Sequence, residues 1–198
     1  MELLTERLRL VPGGPDLVRD LWSVLSDDAV WPWYHREKPT YDQVEGSARA
    51  IGEGWRRDGV HKWIAYDRGS GELVGRGGLS RPPLDDDWGQ LRAFLPDESW
   101  ARDHSGWYEL GWALRGNCRG RGYATEIGRA GLAYAFGELD AQAVASCTRR
   151  DNASSRAVMA RLGMRPAGEI VSDGDPYAVS VLLRAEAAAG PSPGRSRG

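Results

Sequence analysis

The residues best suited to chemistry lie in one glycine-rich stretch, LRGNCRGRGYATE, at positions 114–126. A strand pattern ends there, a short polar loop follows, and a helical pattern begins. The first N–H groups of a helix have no partners within it, and the helix dipole places about half a positive charge at that end. Gly120 and Gly122 let the backbone approach an anion closely, while Arg119 and Arg121 add positive charge. The stretch therefore predicts a site for a phosphate-bearing ligand.

Two common phosphate motifs do not fit this stretch. A P-loop requires GxxxxGK[ST], which the chain lacks. A dinucleotide fingerprint ends in Gly or Ala, whereas Thr125 holds that position here. The stretch also comes late in the chain, after a hairpin pattern, which fits a Rossmann fold poorly.

The elements that position the stretch follow from hydrophobic periodicity and turn residues. After a mixed first half, strand and helix patterns alternate, which indicates a mixed sheet covered by helices. The predicted strands are 3–11, 61–68, 72–80, 107–115, 143–149, 166–172 and 177–184, and the predicted helices are 15–25, 41–58, 122–136 and 153–162.

Two segments fall outside this regular pattern. Residues 81–106 lose periodicity and contain three prolines, so we interpret them as a long insertion that is either a flexible loop or a lid. Residues 185–198 end in GPSPGRSRG and predict a flexible, non-catalytic tail. We therefore expect a single domain over residues 1–184, consistent with the length of the chain.

Composition narrows the class of protein. Hydrophobic residues make up 41% and charged residues 27%, which is ordinary for a globular protein, and the net charge of −2 gives no reason to expect nucleic acid or an anionic membrane as partner. Cys118 and Cys147 stand apart without metal-ligand spacing, so we expect reduced thiols and no metal site. The N-terminus lacks a signal-peptide pattern and no run is long enough to span a bilayer, which predicts a cytoplasmic protein.

Arg119 to Ala124 has the form [QR]xxGx[GA] and resembles the coenzyme A pyrophosphate loop of the GNAT N-acetyltransferase family. Other stretches resemble the RimJ/RimL-like branch of that family in the same order along the chain. They are TERLRL, ELVGRGGL, YELGWALR, RGRGYATE and DNASSRAVMARLGM, and the resemblance covers residues 3–184.

The resemblance implies an α/β (α+β) GNAT fold, with a mixed, mostly antiparallel central sheet of six to seven strands flanked by about four helices. The family's strands 4 and 5, here 107–115 and 143–149, would be splayed so that acetyl-CoA enters between them as cosubstrate. Asn152 matches the family's asparagine on the pantetheine arm, and it also suits a helix N-cap; the two roles are compatible. The implied cofactor-binding residues are Trp112, Ala113, Leu114, Arg119, Gly120, Arg121, Gly122, Tyr123, Ala124, Thr125 and Asn152.

In this family an amine attacks the thioester directly, so the resemblance implies a base, an oxyanion donor and help for the leaving thiolate. Glu109 is the candidate base, acting through water, or else a structural carboxylate. Ser155 is the candidate acid near the sulfur, or else a small residue at a helix start. A backbone N–H near Ala113 or Leu114 is the candidate oxyanion donor, and Tyr123 is a second candidate acid whose position more often faces packing.

The acceptor stays open between a protein N-terminus and a small-molecule amine. The acidic residues Asp85 to Asp87, Asp97 and Glu98 would attract a cationic amine, or they form a solvated loop. All nine tryptophans lie between Trp22 and Trp112, where they fill the core or line an acceptor cavity. The insertion is longer than the family's usual connection, so acceptor specificity does not transfer.

A different class of function also fits the resemblance: a non-catalytic acyl-CoA-binding sensor or interaction module. An intact glycine loop together with Glu109 and Ser155 favours catalysis over that alternative. The resemblance further allows a homodimer.

Overall fold

The computed structural model describes residues 1–84 and 86–189. They form one eight-stranded sheet in the order β1-β2-β3-β4-β5-β6-β8-β7. Strands β5 and β6 are parallel, and every other neighbouring pair is antiparallel. The strands are β1 (Leu3–Leu4), β2 (Leu8–Pro12), β3 (Lys62–Asp67), β4 (Leu73–Ser80), β5 (Trp107–Leu114), β6 (Ala143–Arg149), β7 (Arg165–Ser172) and β8 (Asp175–Leu183).

Helices cover both faces of the sheet, and short 3-10 turns lie at Pro15–Leu17, Trp31–Trp33, Asp87–Phe94 and Gly116–Cys118. The α-helices are α1 (Val18–Leu25), α2 (Tyr41–Asp58), α3 (Ser99–Arg102), α4 (Tyr123–Gly137), α5 (Ala153–Arg161) and α6 (Arg184–Ala189). The mixed, mostly antiparallel sheet with flanking helices confirms the predicted fold class. None of these helices is both long and apolar enough to cross a membrane.

The two faces of the sheet have separate cores. On one face, α1 and α2 bury their apolar stripes against Ile64 and Ala113. The insertion covers the same face farther along, because Leu91 packs with Trp107, and side chains an even number of positions apart on β5 share a face. On the other face, α4 and α5 pack against side chains such as Leu110.

The opening strand differs from the single strand predicted over 3–11. The chain turns between β1 and β2, where the Thr5 N–H donates to the Leu8 carbonyl at 2.9 Å. The Thr5 hydroxyl and the Arg7 N–H both donate to Glu126 Oε1 on α4, at 2.6 and 2.8 Å. A contact more than a hundred positions away in sequence therefore fixes this turn.

The segment 81–106 folds as a 3-10 helix followed by α3, and Leu91 and Ala101 are buried. It is also tied to the β7–β8 hairpin, since the Gln90 side-chain amide donates to the Val171 carbonyl at 2.8 Å. A 3-10 helix has three residues per turn, so it leaves no 3.6-residue pattern in the sequence. The chain also continues past Leu183 as α6, while residues 190–198 of the predicted tail lie outside the described part.

Candidate functional site

A gap between β5 and β6 forms the centre of the site. The two strands pair only from Trp107 to Glu109 on β5, opposite Ala143 to Ala145 on β6. Beyond that point they separate, as the resemblance implies for this strand pair, and the opening leads into a cavity of about 1110 Å³. The cavity reaches both faces of the sheet.

Strand alternation decides which backbone groups of β5 face the gap. Arg115 N–H donates to the Val74 carbonyl at 3.1 Å, so Arg115 and, by alternation, Ala113 direct their backbone groups towards β4. Trp112 and Leu114 direct theirs towards β6. Ala113 lines the cavity, but its N–H faces β4. Of the two expected oxyanion donors, only the Leu114 N–H faces the gap, and the Trp112 N–H, which was not expected, faces it as well.

The same argument applies to β6. Arg150 N–H donates to the Pro176 carbonyl at 2.9 Å, so alternate residues from Arg150 back along β6 face β8. The backbone groups of Cys147 and Arg149 consequently face the gap. An extended ligand carrying amide groups can therefore lie between two strand edges and bond to both, as an additional strand does.

On the α4 and α5 face, the cavity ends at the glycine-rich loop. Gly120 and Gly122 have φ of 72° and 84°, a left-handed conformation that strongly favours glycine. Gly122 is the N-cap of α4 and offers no side-chain cap, so the first N–H groups of the helix are left for a ligand. Arg119, Ala124 and Thr125 line the same end of the cavity. The arrangement suits an anion such as a pyrophosphate.

Two residues expected at the cofactor do not lie on the cavity wall. The Tyr123 hydroxyl donates to Asp67 Oδ2 at 2.6 Å, on the far side of the helix start. That hydrogen bond raises the pKa of Tyr123 and lowers the pKa of Asp67 to about 2. The Arg121 guanidinium stacks on the Tyr123 ring, 5.1 Å from its centroid. Both side chains brace the loop from outside, so Tyr123 has no geometry for the role of acid.

A polar network holds the start of α4 in place. The Arg7 guanidinium donates to the Arg121 carbonyl at 2.8 Å and pairs with Glu126 at 2.7 Å. The Arg119 guanidinium donates to the Ala29 carbonyl, which joins the loop to the segment after α1. The position of the loop is therefore fixed by residues from three separate parts of the chain.

Helix α5 contributes Asn152 and Ser155 to the cavity wall. Asn152 is the N-cap, as predicted, because its Oδ1 accepts from the Ser155 N–H at 3.1 Å and from the Ser154 hydroxyl at 2.8 Å. The cap uses the amide oxygen only, so the NH₂ group of Asn152 is available to a ligand. We call this end of the cavity, with Gly120, Gly122, Asn152 and Ser155, the back chamber.

The opposite end, between α1–α2 and the insertion, is the front chamber. It is polar at its floor and aromatic at its walls. Its lining residues include Trp33, Tyr34, His61, Lys62, Arg76, Ser80, Arg81, Trp88, Glu109, Cys147, Arg149 and Tyr177. Trp33 and Trp88 thus lie on the cavity wall, whereas Trp63 and Trp107 are fully buried in the core.

Glu109 lies on the floor of the front chamber in a hydrogen-bonded pair. Its Oε2 accepts from Lys62 Nζ at 2.7 Å and from the Ser80 hydroxyl at 3.2 Å. Lys62 is buried and also donates to the Gly78 carbonyl at 2.8 Å. Burial lowers the pKa of Lys62, and the charge of Glu109 opposes that shift. The hydrogen bond from Lys62 therefore fixes the position of the Glu109 carboxyl group beside the gap.

Two other titratable side chains of the front chamber, those of His61 and Cys147, are uncharged near neutral pH. Burial, followed by the charges of Lys62 and Arg76, lowers the pKa of His61 to about 3, so its imidazole is neutral near pH 7. Burial and the charge of Glu109 raise the pKa of the Cys147 thiol, which stays protonated. Neither residue is a cation or a thiolate nucleophile under physiological conditions.

Lys62, Arg76 and Tyr34 were missed in the sequence, although all three line the site. Lys62 had a usable signal, since it is one of only two lysines in a chain whose other basic residues are arginines. Tyr34 had none, but its hydroxyl donates to the gap-facing carbonyl of Trp112 at 2.6 Å.

The acidic residues of the insertion are engaged elsewhere. Asp86 caps the 3-10 helix by accepting from the Trp88 N–H at 2.8 Å, and Asp87 accepts from the Asp173 N–H at 3.1 Å. Asp97 pairs with Arg102 at 2.8 Å. Asp85 lies outside the described residues. The contacts of Asp86, Asp87 and Asp97 thus favour the interpretation of these residues as part of a solvated loop.

Comparison with known proteins agrees with this geometry. The model of the acetyltransferase (GNAT) domain matches residues 7–165. The uncharacterized N-acetyltransferase YnaD of Bacillus subtilis (strain 168) is 36% identical over 61 residues, and the match spans only 31% of this chain and 36% of that protein. The chain therefore belongs to the GNAT acetyltransferase family.

Solved structures of the family share the fold over nearly the whole chain. A GNAT-family acetyltransferase from Bordetella pertussis is 25% identical, with a TM-score of 0.72 over 91% of this chain and 98% of that one. The enzyme AAC(6')-Ib, in complex with paromomycin and acetyl-CoA, is 18% identical, with a TM-score of 0.72 over 94% and 98%. At that identity the second likeness shows the fold alone.

Proposed function

We propose that the protein is an acetyl-CoA-dependent N-acetyltransferase that acetylates a primary amine by direct attack on the thioester. The observation that carries the proposal is the gap between β5 and β6, which leads from the glycine loop to the paired Glu109. A ligand with a pyrophosphate at one end and an extended amide arm fits both the loop and the strand edges. Acetyl-CoA has that shape, and family membership supports it.

The back chamber would hold the cosubstrate by its backbone. The N–H groups from Gly120 to Thr125 would donate to the pyrophosphate, whereas that of Arg119 donates to the Gly116 carbonyl at 3.4 Å. The positive end of the α4 dipole favours the negative charge. The edge groups of Trp112 and Leu114, with the amide NH₂ of Asn152, would bond to the pantetheine arm. An N–H of Leu114 or Trp112 would donate to the acetyl carbonyl and stabilise the negative charge that develops on its oxygen.

The front chamber would supply the proton transfer. The amine nitrogen forms a bond to the acetyl carbon while the carbon–sulfur bond breaks, and the electron pair leaves with the sulfur. Glu109 would accept the proton that the amine loses, through a water molecule, because a carboxylate in reach of the attacking nitrogen acts as a general base. Lys62 would act as a positioning residue that fixes the carboxylate.

Ser155 would assist the departing thiolate. Its N–H is held by Asn152, which fixes the start of α5 against the cavity. A hydroxyl there can donate a proton or a hydrogen bond to the sulfur. A thiol has an ordinary pKa near 8.5, so this help is useful without being essential.

Calorimetric titration with acetyl-CoA, with NAD and ATP as controls, tests the proposal first. We expect micromolar binding of acetyl-CoA alone, followed by release of free thiol when an amine acceptor is added. Binding without thiol release from any amine would favour the alternative function, a non-catalytic acyl-CoA sensor. Absence of acetyl-CoA binding would contradict the proposal altogether.

The acceptor is a protein N-terminus or a small amine, and the family includes AAC(6')-Ib, whose structure holds paromomycin. A RimJ/RimL-like role, a cytoplasmic location and a homodimer remain predictions from the sequence resemblance. The charges of the front chamber bear on the choice between these acceptors.

A further inference from the structure

Arg76 is placed to contact whatever occupies the front chamber. It lies on β4, directly opposite Ile64 on β3 and Ala113 on β5, and directly opposed residues share a face of the sheet. That face carries α1 and α2, and Arg76 lines the cavity there. Its guanidinium carbon lies 5.1 Å from the centre of the Tyr34 ring, so the side chain is oriented by a cation–π contact.

The Arg76 guanidinium has no anionic partner among residues 1–84 and 86–189. Within that part of the chain it makes neither an ion pair nor a side-chain hydrogen bond, and its buried Nε has no acceptor. Nearly all buried polar groups in proteins are hydrogen-bonded, and buried charges are normally paired. An unpaired guanidinium on a cavity wall is therefore an observation that a bound ligand would explain.

The other charged groups of the front chamber are compensated. Lys62 pairs with Glu109 at 2.7 Å, and Arg149 pairs with Asp175 at 3.0 Å. Arg81 lies 3.8 Å from Asp58, a carboxylate that it shares with Arg57 at 2.7 Å. Among the cations that the described residues contribute to the front chamber, Arg76 is the one without a carboxylate partner. The front chamber thus carries excess positive charge, which disfavours a polycationic acceptor such as an aminoglycoside or a polyamine.

The geometry of the site restricts the ligand further. Arg76 lies opposite Ala113, and Glu109 lies on the strand of Ala113, about 13 Å from it along the backbone. The Glu109 carboxylate leans towards Ala113, because its Oε1 lies 2.9 Å from the Cβ position of Gly111. A guanidinium presents parallel N–H donors that match a carboxylate. Aromatic side chains, including Tyr34, Trp88 and Tyr177, line the same cavity. One molecule can therefore place an amine near Glu109 and a carboxylate at Arg76.

We propose that the acceptor is a small amino acid-like molecule whose carboxylate binds Arg76 while its amine is acetylated beside Glu109. The proposal rests on the acetyltransferase function proposed above and specifies its acceptor. In this assignment Arg76 contacts substrate and determines specificity, and it plays no part in the proton transfer.

The test is a thiol-release assay with acetyl-CoA and matched acceptors: the common L-amino acids, their amides, spermidine and a short peptide. For the best amino acid we expect kcat/KM at least about tenfold above that of its amide, because an Arg–carboxylate bond is lost in the amide. Arg76→Gln should raise KM for the acid at least about tenfold and change KM for the amide much less, so that the preference for the acid is lost. Arg76→Lys keeps the positive charge but loses the paired N–H donors of the guanidinium, so its KM for the acid should lie between those of the wild type and Arg76→Gln.

Arg49→Gln is the control, because Arg49 is an exposed residue of α2 paired with Glu45 and should leave all rates unchanged. Calorimetry with acetyl-CoA separates the two proposals. If acetyl-CoA does not bind, the acetyltransferase function fails. If acetyl-CoA binds normally, three results would overturn the carboxylate assignment and leave the acetyltransferase function standing. They are equal use of acids and amides, a preference for spermidine or the peptide, and an acid preference that survives Arg76→Gln. The carboxylate assignment is also overturned if none of the acceptors reacts and if, with coenzyme A bound, amino acids bind the wild type no more tightly than their amides do.

Discussion

The back and front chambers share one cavity but are built from different parts of the chain. The back chamber presents mainly backbone groups, and they come from two short stretches, 112–125 and 147–155. The front chamber presents side chains from the segment after α1, from β3, β4, β5 and β6, and from the insertion. The back chamber is thus formed by residues close together in sequence, and the front chamber by residues that only the folded chain brings together.

This difference has a physical basis. A backbone cradle needs only left-handed glycines and a helix start, and both are properties of neighbouring residues. A pair such as Lys62 and Glu109 is formed by strand register, which depends on the whole sheet. Substitutions in the back chamber should therefore affect acetyl-CoA, whereas substitutions in the front chamber should affect the acceptor and the chemistry.

The largest expected effect belongs to Gly122→Val. A Cβ there would lie 3.3 Å from the Arg7 guanidinium, on a residue with φ of 84° at the N-cap of α4. Losing two charge-assisted hydrogen bonds to a pyrophosphate costs about 4 kcal/mol, which is roughly a thousandfold weaker binding. We expect this loss in the calorimetric affinity for acetyl-CoA.

Gly163→Val is the matched control for that experiment. Gly163 has φ of 80°, follows α5 and has open space around its Cβ position, so the substitution adds similar backbone strain away from the cavity. It should lower stability without weakening acetyl-CoA binding. Equal effects of both variants on acetyl-CoA affinity would show that strain, and not a blocked anion site, is responsible.

Glu109→Gln should have the second-largest effect, this time on the chemical step. Removing a general base typically lowers kcat by about a hundredfold or more, and the acid side of the pH–rate profile should flatten. Acetyl-CoA binding should be unchanged. A near-normal pH–rate profile in steady-state kinetics would leave Glu109 with a structural role only.

A second variant separates catalysis from folding. Glu109→Gln leaves the buried Lys62 without its counter-ion, and breaking a buried pair typically costs about 3–5 kcal/mol. Adding Lys62→Met removes the unpaired charge, so the double variant should recover much of the stability measured by denaturant unfolding. Its kcat should stay low. Recovery of activity together with stability would show that the single variant was merely misfolded.

The sequence predicted most of the fold because its signals are local. Helix α2 follows from its apolar stripe and from Thr40 and Gln43, which form a capping box, and Gly59 ends it with φ of 69°. The insertion was not resolved into elements, because its 3-10 helix has no characteristic period and is held by contacts to the β7–β8 hairpin.

The site shows the same division. Of the residues expected from the glycine loop, Gly120, Gly122 and Thr125 line the cavity, since helix-start geometry can be inferred from a motif. Tyr123 could not be placed in this way, because its orientation depends on Asp67, a distant partner. Arg76 could not be found at all, because its significance is that residues 1–84 and 86–189 supply it with no counter-ion, which only the packed structure reveals.

The front chamber should also make the protein sensitive to acid. His61 has a pKa of about 3 in the folded protein and near 6.5 when unfolded, so between these values the unfolded state binds the additional proton. The contribution of His61 to the free energy of unfolding is therefore constant above about pH 6.5. Below that pH it falls by up to about 1.4 kcal/mol per pH unit. Denaturant unfolding of His61→Gln from about pH 7.5 to about pH 4.5 should show a correspondingly shallower pH dependence.

The exposed His35 provides the control for this measurement. His35→Gln should leave most of the acid sensitivity of the wild type in place. If both variants unfold with the same pH dependence as the wild type, the buried imidazole is not the source of the acid sensitivity.

The smallest expected effect tests whether the back chamber does more than hold the cosubstrate. Ser155→Ala removes a hydroxyl and leaves the cap intact, because Asn152 bonds to the backbone N–H of residue 155 and not to its side chain. A thiolate leaves with little help near neutral pH, so we expect kcat to fall about three- to tenfold, with acetyl-CoA affinity unchanged. Steady-state kinetics with acyl donors whose leaving thiols differ in pKa sharpen the test, since the loss should grow as the leaving group becomes more basic. A loss independent of the leaving group would place all the chemistry in the front chamber and leave the back chamber a binding site alone.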